Sequence, residues 1–157
     1  MGEAQTVERE ATPNEAKRLN VPSGAWVLAV SRVIMTGVQP IAYLVDVVPT
    51  TFLRQQDLGE AFNGSVLDLL LQRGEPALSH SHTDIVAEAA EGTLARKLGL
   101  RRGAVLLKLE AQLYARDGQV VDYSLSYFVP GHLRFHVVRR VGESNIKSLI
   151  SNSKNTE

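Results

Sequence analysis

Two stretches of this chain, 79 positions apart, have nearly the same sequence. Residues 16–30 read AKRLNVPSGAWVLAV and residues 95–109 read ARKLGLRRGAVLLKL. Beyond the next turn the spacing grows to 81 positions, so that Gly37 matches Gly118 and Pro49 matches Pro130. A repeat of this length predicts one structural unit that is used twice within the same domain.

Each copy carries the signals of a helix followed by two strands. In the first copy Thr12 suits the N-cap, Pro13 the first helical position and Glu15 the return position of a capping box. Asn20, matched by Gly99 in the second copy, suits the left-handed residue that ends a helix. Runs of β-branched and aliphatic residues then predict strands at 26–30, 41–48, 105–107 and 120–129, with turns at Thr36-Gly37 and Asp117-Gly118.

Further elements are expected between and after the copies. Ser65 can cap a helix over VLDLLLQR, with Asp68 at the capping-box position, and Gly74 can end it. Residues 78–89 read as one long strand and residues 135–141 as a last strand. The sequence therefore predicts an α+β domain with one largely antiparallel sheet and helices collected on one face.

Composition narrows the class of protein. The 157 residues include 44% apolar and 22% charged side chains, which is ordinary for a single globular domain. Seventeen basic side chains balance 17 acidic ones, so no basic footprint for nucleic acid is present. The sequence has no cysteine, no signal peptide and no apolar run of about 20 residues, which favours a cytoplasmic protein without disulfides. We expect one domain over residues 1–141, with its ordered core at about 6–141, and a polar tail over 142–157.

Two features could bind an anion. Arg32 shares a strand face with the apolar Leu28 and Val30. Its side chain could form an ion pair inside the protein, bind an anionic ligand, or lie at the edge of the sheet and reach solvent. Ser65 precedes a helix whose first N–H groups and dipole attract anions, although a serine there can also be a simple cap.

Two polar rows could border a pocket. His80, His82 and Asp84 fall on one face of a strand, but three ligands on a flat strand rarely converge on an ion, so we expect no metal. Asp122 begins a second row with Ser124, Ser126 and Phe128, where a carboxylate could hold hydroxyl or amino groups of a ligand. The alternative for that row is a solvent-facing outer strand.

Taken together, these stretches resemble the UTRA effector-binding domain of GntR-type transcription regulators, in the HutC-like branch. The resemblance rests on residues 16–49, on GSVLDLLLQRG at 64–74 and on residues 95–135, and it covers the chain from about residue 6 to 141. It implies a chorismate-lyase-like fold, a homodimer and an intracellular sensor of a small molecule. It also implies that a winged helix-turn-helix domain, absent from this chain, precedes the sensor and makes the only contact with DNA.

The resemblance also implies roles for individual residues. Members that sense sugar phosphates have an arginine at Arg32, bind phosphate at the helix start matching Ser65, Val66 and Leu67, and use an acidic residue at Asp122. This sequence departs from that pattern at three positions that are polar in those members, namely Ile34, Leu44 and Phe128. We therefore expect a less charged pocket, with His82 at its border, that takes an anionic metabolite such as an organic acid or a sugar phosphate without a cofactor.

The rival interpretation is an enzyme, because the fold that the resemblance implies is also that of chorismate lyase, which binds an aromatic carboxylate. The repeated pattern favours the sensor, and the sequence shows no convincing pair of acids for general acid–base chemistry. We therefore expect a non-enzymatic, non-membrane protein that binds an effector.

Overall fold

The computed structural model describes residues 4–142 and shows one antiparallel sheet of six strands. The strands are β1 (Gln5–Glu10), β2 (Trp26–Thr36), β3 (Gln39–Pro49), β4 (Leu78–Ala89), β5 (Val105–Ala115) and β6 (Val120–Phe128). The helices are α1 (Pro13–Leu19), α2 (Val66–Arg73) and α3 (Gly92–Lys97), with a short 3-10 helix at Gln55–Asp57. The strand order β1-β2-β3-β6-β5-β4 confirms the predicted α+β class and the antiparallel sheet.

The repeat is confirmed in three dimensions. The first unit runs β1-α1-β2-β3 and the second runs β4-α3-β5-β6, and the sheet order places them as two halves that meet at β3 and β6. Equivalent hydrogen bonds recur, since Ala11 N–H donates to the carbonyl of Ala25 at 2.8 Å and Ala90 N–H to that of Ala104 at 2.7 Å. Each unit therefore begins with a strand, and the first of these, β1, is an element that the sequence pattern did not reveal.

The helix ends follow the local sequence signals. Thr12 and Glu15 form a complete capping box at the start of α1, and Asn20 ends the helix with φ 54°. Gly99, its counterpart after α3, has φ 61°. At α2 the side chain of Ser65 accepts from the N–H of Asp68 at 3.3 Å, while the N–H of Ser65 donates to Asn63 Oδ1 at 2.9 Å, so only the serine half of the box is made.

The expectation that the helices collect on one face is wrong. We call the face that carries Leu28, Val30 and Arg32 the front face, and the opposite one the back face. On the front face, Val66 and Leu70 of α2 pack against Leu28 and Val30. On the back face, α1 inserts Leu19 and α3 inserts Ala95 and Leu98. Each repeat brings its own helix to the back, whereas α2 lies between the repeats and is free to cover the front.

The last strand expected at residues 135–141 is not formed, because the sheet described within residues 4–142 consists of β1 to β6 alone. The ring of Phe135 packs edge-on against Phe128 with centroids 5.8 Å apart. Beyond it the side chains of Val137, Val138 and Val141 are exposed by 84%, 83% and 97%. Alternation gave the segment the pattern of a strand, but a strand forms only where the chain also pairs with a neighbouring strand. Residues 143–157, most of the expected polar tail, lie outside the described residues.

Candidate functional site

The strand register brings most of the predicted site residues onto the front face. Arg32 lies opposite Leu44, which in turn pairs with Ser126 of β6. In the next row Ile34 pairs with Ala42, and Ala42 pairs with Phe128. Since α2 covers only the other end of the front face, these rows form the floor of a site that begins at the start of α2.

Arg32 occupies the centre of this site. Its Nη1 donates to the carbonyl of Asn63 at 3.4 Å, and its Nε is buried with no acceptor among the described residues. Gly64 allows this approach, because it has φ 88° and a Cβ there would lie 3.0 Å from Arg32 Cδ. A buried donor without an acceptor costs about 1–3 kcal/mol, so the position favours a bound acceptor.

The start of α2 contributes backbone groups. The side chain of Val66 is buried in the core and that of Leu67 is 49% exposed, so neither side chain forms the floor of the site. The N–H groups of Val66 and Leu67 have no acceptor within the described part of the chain. Together with Arg32 and Ser65 they make up what we call the anion end, a set of donors at a helix N-terminus.

Asp122 has an acidic neighbour that the sequence analysis missed. Asp46 lies on the front face of β3, between Val30 and Ser124 in the register, and its carboxyl is hydrogen-bonded to that of Asp122. Asp122 is 6% exposed and also accepts from the N–H of Val47 at 3.2 Å. We call Asp46 and Asp122 the acid pair; the sequence analysis had found no convincing pair of acids for acid–base chemistry.

Burial governs the protonation of the acid pair. Burial raises the pKa of Asp46 to about 6, although the hydrogen bond from Asp122 and the charge of Arg32 lower it. Burial, the charge of Asp46 and the hydrogen bond to Asp46 raise the pKa of Asp122 well above its usual range. The hydrogen bond from the N–H of Val47 lowers this pKa, but its effect is smaller. Asp122 therefore stays protonated, and its hydroxyl donates a hydrogen bond to the carboxylate of Asp46. The signal in the sequence was an aspartate inside the apolar run YLVDVV, where an ionised side chain is costly to bury.

His82 does not join the site. It pairs with Gln112 on the back face of β4, as do His80 with Tyr114 and Asp84 with Glu110, so the sheet separates it from Arg32. The ring of His80 stacks on Tyr114 with centroids 4.9 Å apart. No cluster of three metal-ligating side chains occurs within residues 4–142. That His80 and His82 hold no metal stays a prediction, and elemental analysis of protein purified without a metal-affinity tag tests it; stoichiometric zinc lost in His82→Ala would contradict it.

Two cavities flank the site. One, of about 250 Å³, is lined by Phe62, Asn63, Ser65 and Asp68 among others and lies at the start of α2 without touching Arg32. The other, of about 200 Å³, lies at the far end of the front face and is lined mainly by apolar side chains, including Leu107, Phe128 and Leu133. In the register the row of Arg32 and Leu44 lies in the middle, with the row of Asp46 on one side and the row of Phe128 on the other, so the acid pair and the apolar end flank Arg32.

The sequence matches the UTRA domain family over residues 5–134. The chain belongs to the UTRA domain family. Among the described residues of this UTRA domain, no helix is both long and apolar enough to cross a membrane.

Solved structures share the fold of this UTRA domain. A GntR-family transcriptional regulator from Enterococcus faecalis is similar with a TM-score of 0.76 at 18% identity, over 87% of this chain and 100% of that chain. The effector domain of PhnF from Mycobacterium smegmatis is similar with a TM-score of 0.75 at 21% identity, over 88% of each chain. A longer PhnF structure gives 0.76 and 21%, over 88% of this chain but 61% of that chain. Comparison with the curated proteins gives no match.

Proposed function

We propose that this UTRA domain is the effector-sensing part of a GntR-type transcription regulator, in which ligand binding alters affinity for operator DNA. Its family and its likeness to the effector domain of PhnF support this role. The observation that carries the proposal is the buried Nε of Arg32, which has no acceptor among residues 4–142 and lies near the start of α2, where the N–H groups of Val66 and Leu67 also have none in that range. The donors come from β2 and from the start of α2, which is the arrangement expected of an anion-binding site.

The effector is an anionic metabolite, an organic acid or a sugar phosphate. The guanidinium of Arg32, Ser65 and the amides of Val66 and Leu67 bind its charged group through charge-assisted hydrogen bonds. The acid pair accepts hydrogen bonds from a hydroxyl or amino group elsewhere on the ligand. Ile34, Leu44 and Phe128 contact its less polar body, so a compact and fully hydroxylated ligand fits less well than one with an apolar part.

The regulator as a whole is a symmetric dimer that acts in the cytoplasm and contacts DNA through a winged helix-turn-helix domain joined to this one. The effector must bind one arrangement of the dimer more tightly than the other, because equal affinity for both shifts nothing. A palindromic operator has a fixed spacing between half-sites, so a small change in the sensor can alter DNA affinity greatly.

A thermal-shift screen of organic acids and sugar phosphates, followed by calorimetry of the compounds that stabilise the chain, tests this proposal. We expect at least one anion to bind with a dissociation constant in the micromolar range and to change operator binding by the full regulator in a gel shift. A ligand that binds tightly while the full regulator's DNA affinity ignores it would count against the sensing role.

The acid pair is the one observation that favours an enzyme, since two carboxyls with separated pKa values are common in acid–base catalysis. Against this, Asp122 is buried and already accepts from the N–H of Val47, and Asp46 is at most partly exposed. We therefore expect no release of product from chorismate in a direct lyase assay, and measurable turnover that is lost in Asp46→Asn would establish the enzyme instead.

A further inference from the structure

The back face of the sheet carries a polar cluster that joins the two repeats. Arg18 of α1, in the first repeat, reaches Glu110 of β5, in the second, with Nη2 lying 3.1 Å from Oε1. The hydroxyl of Tyr123 donates to the same carboxylate oxygen at 2.6 Å. The side chain of Gln112 adds a bond to the helix, since its Nε2 donates to the carbonyl of Arg18 at 2.6 Å. One carboxylate on the sheet thus binds a tyrosine hydroxyl and a helical cation together.

In the other half of the sheet a serine takes the place of this carboxylate. Ser31 of β2 lies 79 positions before Glu110 in the sequence. Ala29 likewise lies 79 positions before Lys108, whose Nζ is 3.8 Å from the Glu110 carboxylate. Since side chains alternate along β2, Ser31 and Ala29 both face the back. Two long charged side chains therefore cover the back face in one half, while two short side chains leave it open in the other.

The tyrosine and the helical cation are present in both halves. Tyr43 pairs with Val33 of β2. Tyr123 pairs with Gln112 of β5, which lies 79 positions after Val33, so the two tyrosines are equivalent. Lys97 of α3 is the counterpart of the helical arginine, and its Nζ lies 5.0 Å from the centroid of the Tyr43 ring. Within residues 4–142 Lys97 has no ion pair, and the hydroxyl of Tyr43 has no hydrogen bond.

A cavity of about 400 Å³ lies where the carboxylate is missing. Ser31 and Tyr43 line it from β2 and β3, and residues of β1 line its other side. Arg9 also borders the cavity, but its guanidinium is already paired with Glu15 at 2.7 Å. The volume is typical of a site for a small organic molecule. The hydroxyls that line the cavity and the cation beside it suit a carboxylate, as the other half of the sheet demonstrates.

We propose that this cavity is a second ligand site, which binds the carboxylate of a small organic acid in the position that Glu110 occupies in the other half. The hydroxyls of Tyr43 and Ser31 donate to this carboxylate, and Lys97 moves from the face of the tyrosine ring to pair with it. The site lies on the face of the sheet opposite Arg32. It is therefore separate from the anion end and goes beyond the proposed function.

Benzoate is a suitable probe, because it joins a carboxylate to a flat apolar ring, and benzamide is its neutral counterpart. Both are titrated into the full chain and into its Arg32→Ala variant, and the backbone amides are followed by nuclear magnetic resonance. We expect benzoate to shift the amides of Ser31, Tyr43 and Val45 in both proteins, with a dissociation constant of about 1 mM, as is usual for so small a ligand. Benzamide should bind about tenfold more weakly or not at all.

Two results of these titrations would overturn the second site. Equal binding of benzoate and benzamide would show that no carboxylate is recognised. Benzoate binding that is lost in Arg32→Ala, with shifts confined to the start of α2, would place the probe at the anion end instead.

Substitutions on the back face locate the site. Lys97→Met and Tyr43→Phe should each raise the dissociation constant of benzoate about tenfold or more, because each removes a charge-assisted hydrogen bond. Lys17→Met, which removes an exposed lysine from α1, is the matched control and should leave the affinity unchanged. Wild-type affinity in both Lys97→Met and Tyr43→Phe would contradict the proposal.

Returning the missing carboxylate to the chain provides an independent measurement. Ser31→Glu introduces an acid at the position equivalent to Glu110, so it should abolish benzoate binding and form an ion pair with Lys97. Ser31→Gln adds a side chain of the same size without the charge. The melting temperature of Ser31→Glu should exceed that of Ser31→Gln by about 1–3 °C, and this difference should vanish when Lys97→Met is added to both. A Ser31→Glu chain that melts no higher than Ser31→Gln, or that still binds benzoate like the wild type, would contradict the equivalence of the two positions and the site with it.

Discussion

At the scale of single residues, the site depends on donors and acids that lack ordinary partners. Arg32 is the clearest of these, because its Nε is buried and has no acceptor in the described part of the chain, while its Nη1 donates to the carbonyl of Asn63 at 3.4 Å. Removing the guanidinium takes a charge-assisted bond from the ligand but little from the fold. The residue therefore separates binding from stability.

We expect Arg32→Ala to weaken effector binding by about 1.5–3 kcal/mol, the range for hydrogen bonds to charged groups, with the melting temperature nearly unchanged. Calorimetry with an anion that stabilises the wild type provides the measurement. His82→Ala is the matched control, since this side chain lies on the back face and should leave the affinity as it is. Equal affinities for wild type and Arg32→Ala would remove Arg32 from the site.

The acid pair makes stability depend on pH in a direction unusual for carboxylates. An unfolded aspartate releases its proton near pH 4, whereas burial raises the pKa of Asp46 to about 6. Between these values the folded chain binds more protons than the unfolded chain, so the free energy of unfolding falls as pH rises through this window. Below about pH 4 both states are protonated and the effect vanishes.

Asp46→Asn should therefore be more stable than wild type at pH 7.5, by about 1–2 kcal/mol, and close to wild type near pH 4. Denaturant titrations at several pH values measure this difference. Asp84→Asn, which removes an exposed carboxylate from β4, is the control and should not change the pH profile. A difference between Asp46→Asn and wild type that stays constant from pH 4 to 7.5 would show that Asp46 ionises as it does in the unfolded chain.

At the scale of elements, the two capped helices allow structure and binding to be separated. Thr12 caps α1 on the back face and Ser65 caps α2 at the anion end. Loss of either hydroxyl should lower the free energy of unfolding by about 1 kcal/mol. Only Ser65→Ala should also weaken effector binding, which calorimetry on both variants would show. Equal affinities in Ser65→Ala and Thr12→Ala would mean that Ser65 is a cap and nothing more.

The elements that could be predicted from the sequence are those whose causes are local. The caps at Thr12, Ser65 and Asn20 and the long strand β4 follow from a few neighbouring residues, and the structure confirms them. β1 was missed because QTVERE has one apolar side chain and becomes a strand only by pairing with β2. Residues 135–141 fail in the opposite way, since their alternation is typical of a strand and yet they join neither edge of the described sheet.

The same distinction between local and long-range causes decides which site residues could be predicted from the sequence. Arg32, Ile34, Leu44 and Phe128 lie on one face in neighbouring rows, as alternation and register dictate, while their role in binding stays a prediction. His82 was placed wrongly, since the side of the sheet that a residue faces depends on pairing between strands distant in the sequence. Asp46 was missed because its partner, Asp122, comes from the other repeat and only the meeting of β3 and β6 joins them.

At the scale of the whole molecule, a duplicated scaffold carries a site that is not duplicated. The position of Arg32 is taken by Ala111 in the second repeat, 79 residues later, and α2 occurs once, between the repeats. The anion end thus combines Arg32 of the first repeat with the start of α2 between the repeats, while Asp122 and Phe128 come from the second repeat. A ligand that spans from Arg32 to Phe128 contacts both halves of the sheet, so binding can shift one half against the other.

This geometry predicts how the sensor and DNA binding are coupled. With a formal net charge of zero, this chain should show no salt-sensitive binding to DNA. If the proposed regulator is a dimer through its sensor, this chain should also be dimeric in solution. Joined to a winged helix-turn-helix domain, it should bind a palindromic operator with an affinity that the effector changes, since binding alters the spacing of the two DNA-binding domains. Gel shifts of the two proteins side by side, with and without the effector, measure this. The Arg32→Ala variant of the longer protein should bind DNA normally and lose only the response to the effector. DNA binding by this chain alone would contradict the coupling, and so would a response to the effector that survives in Arg32→Ala.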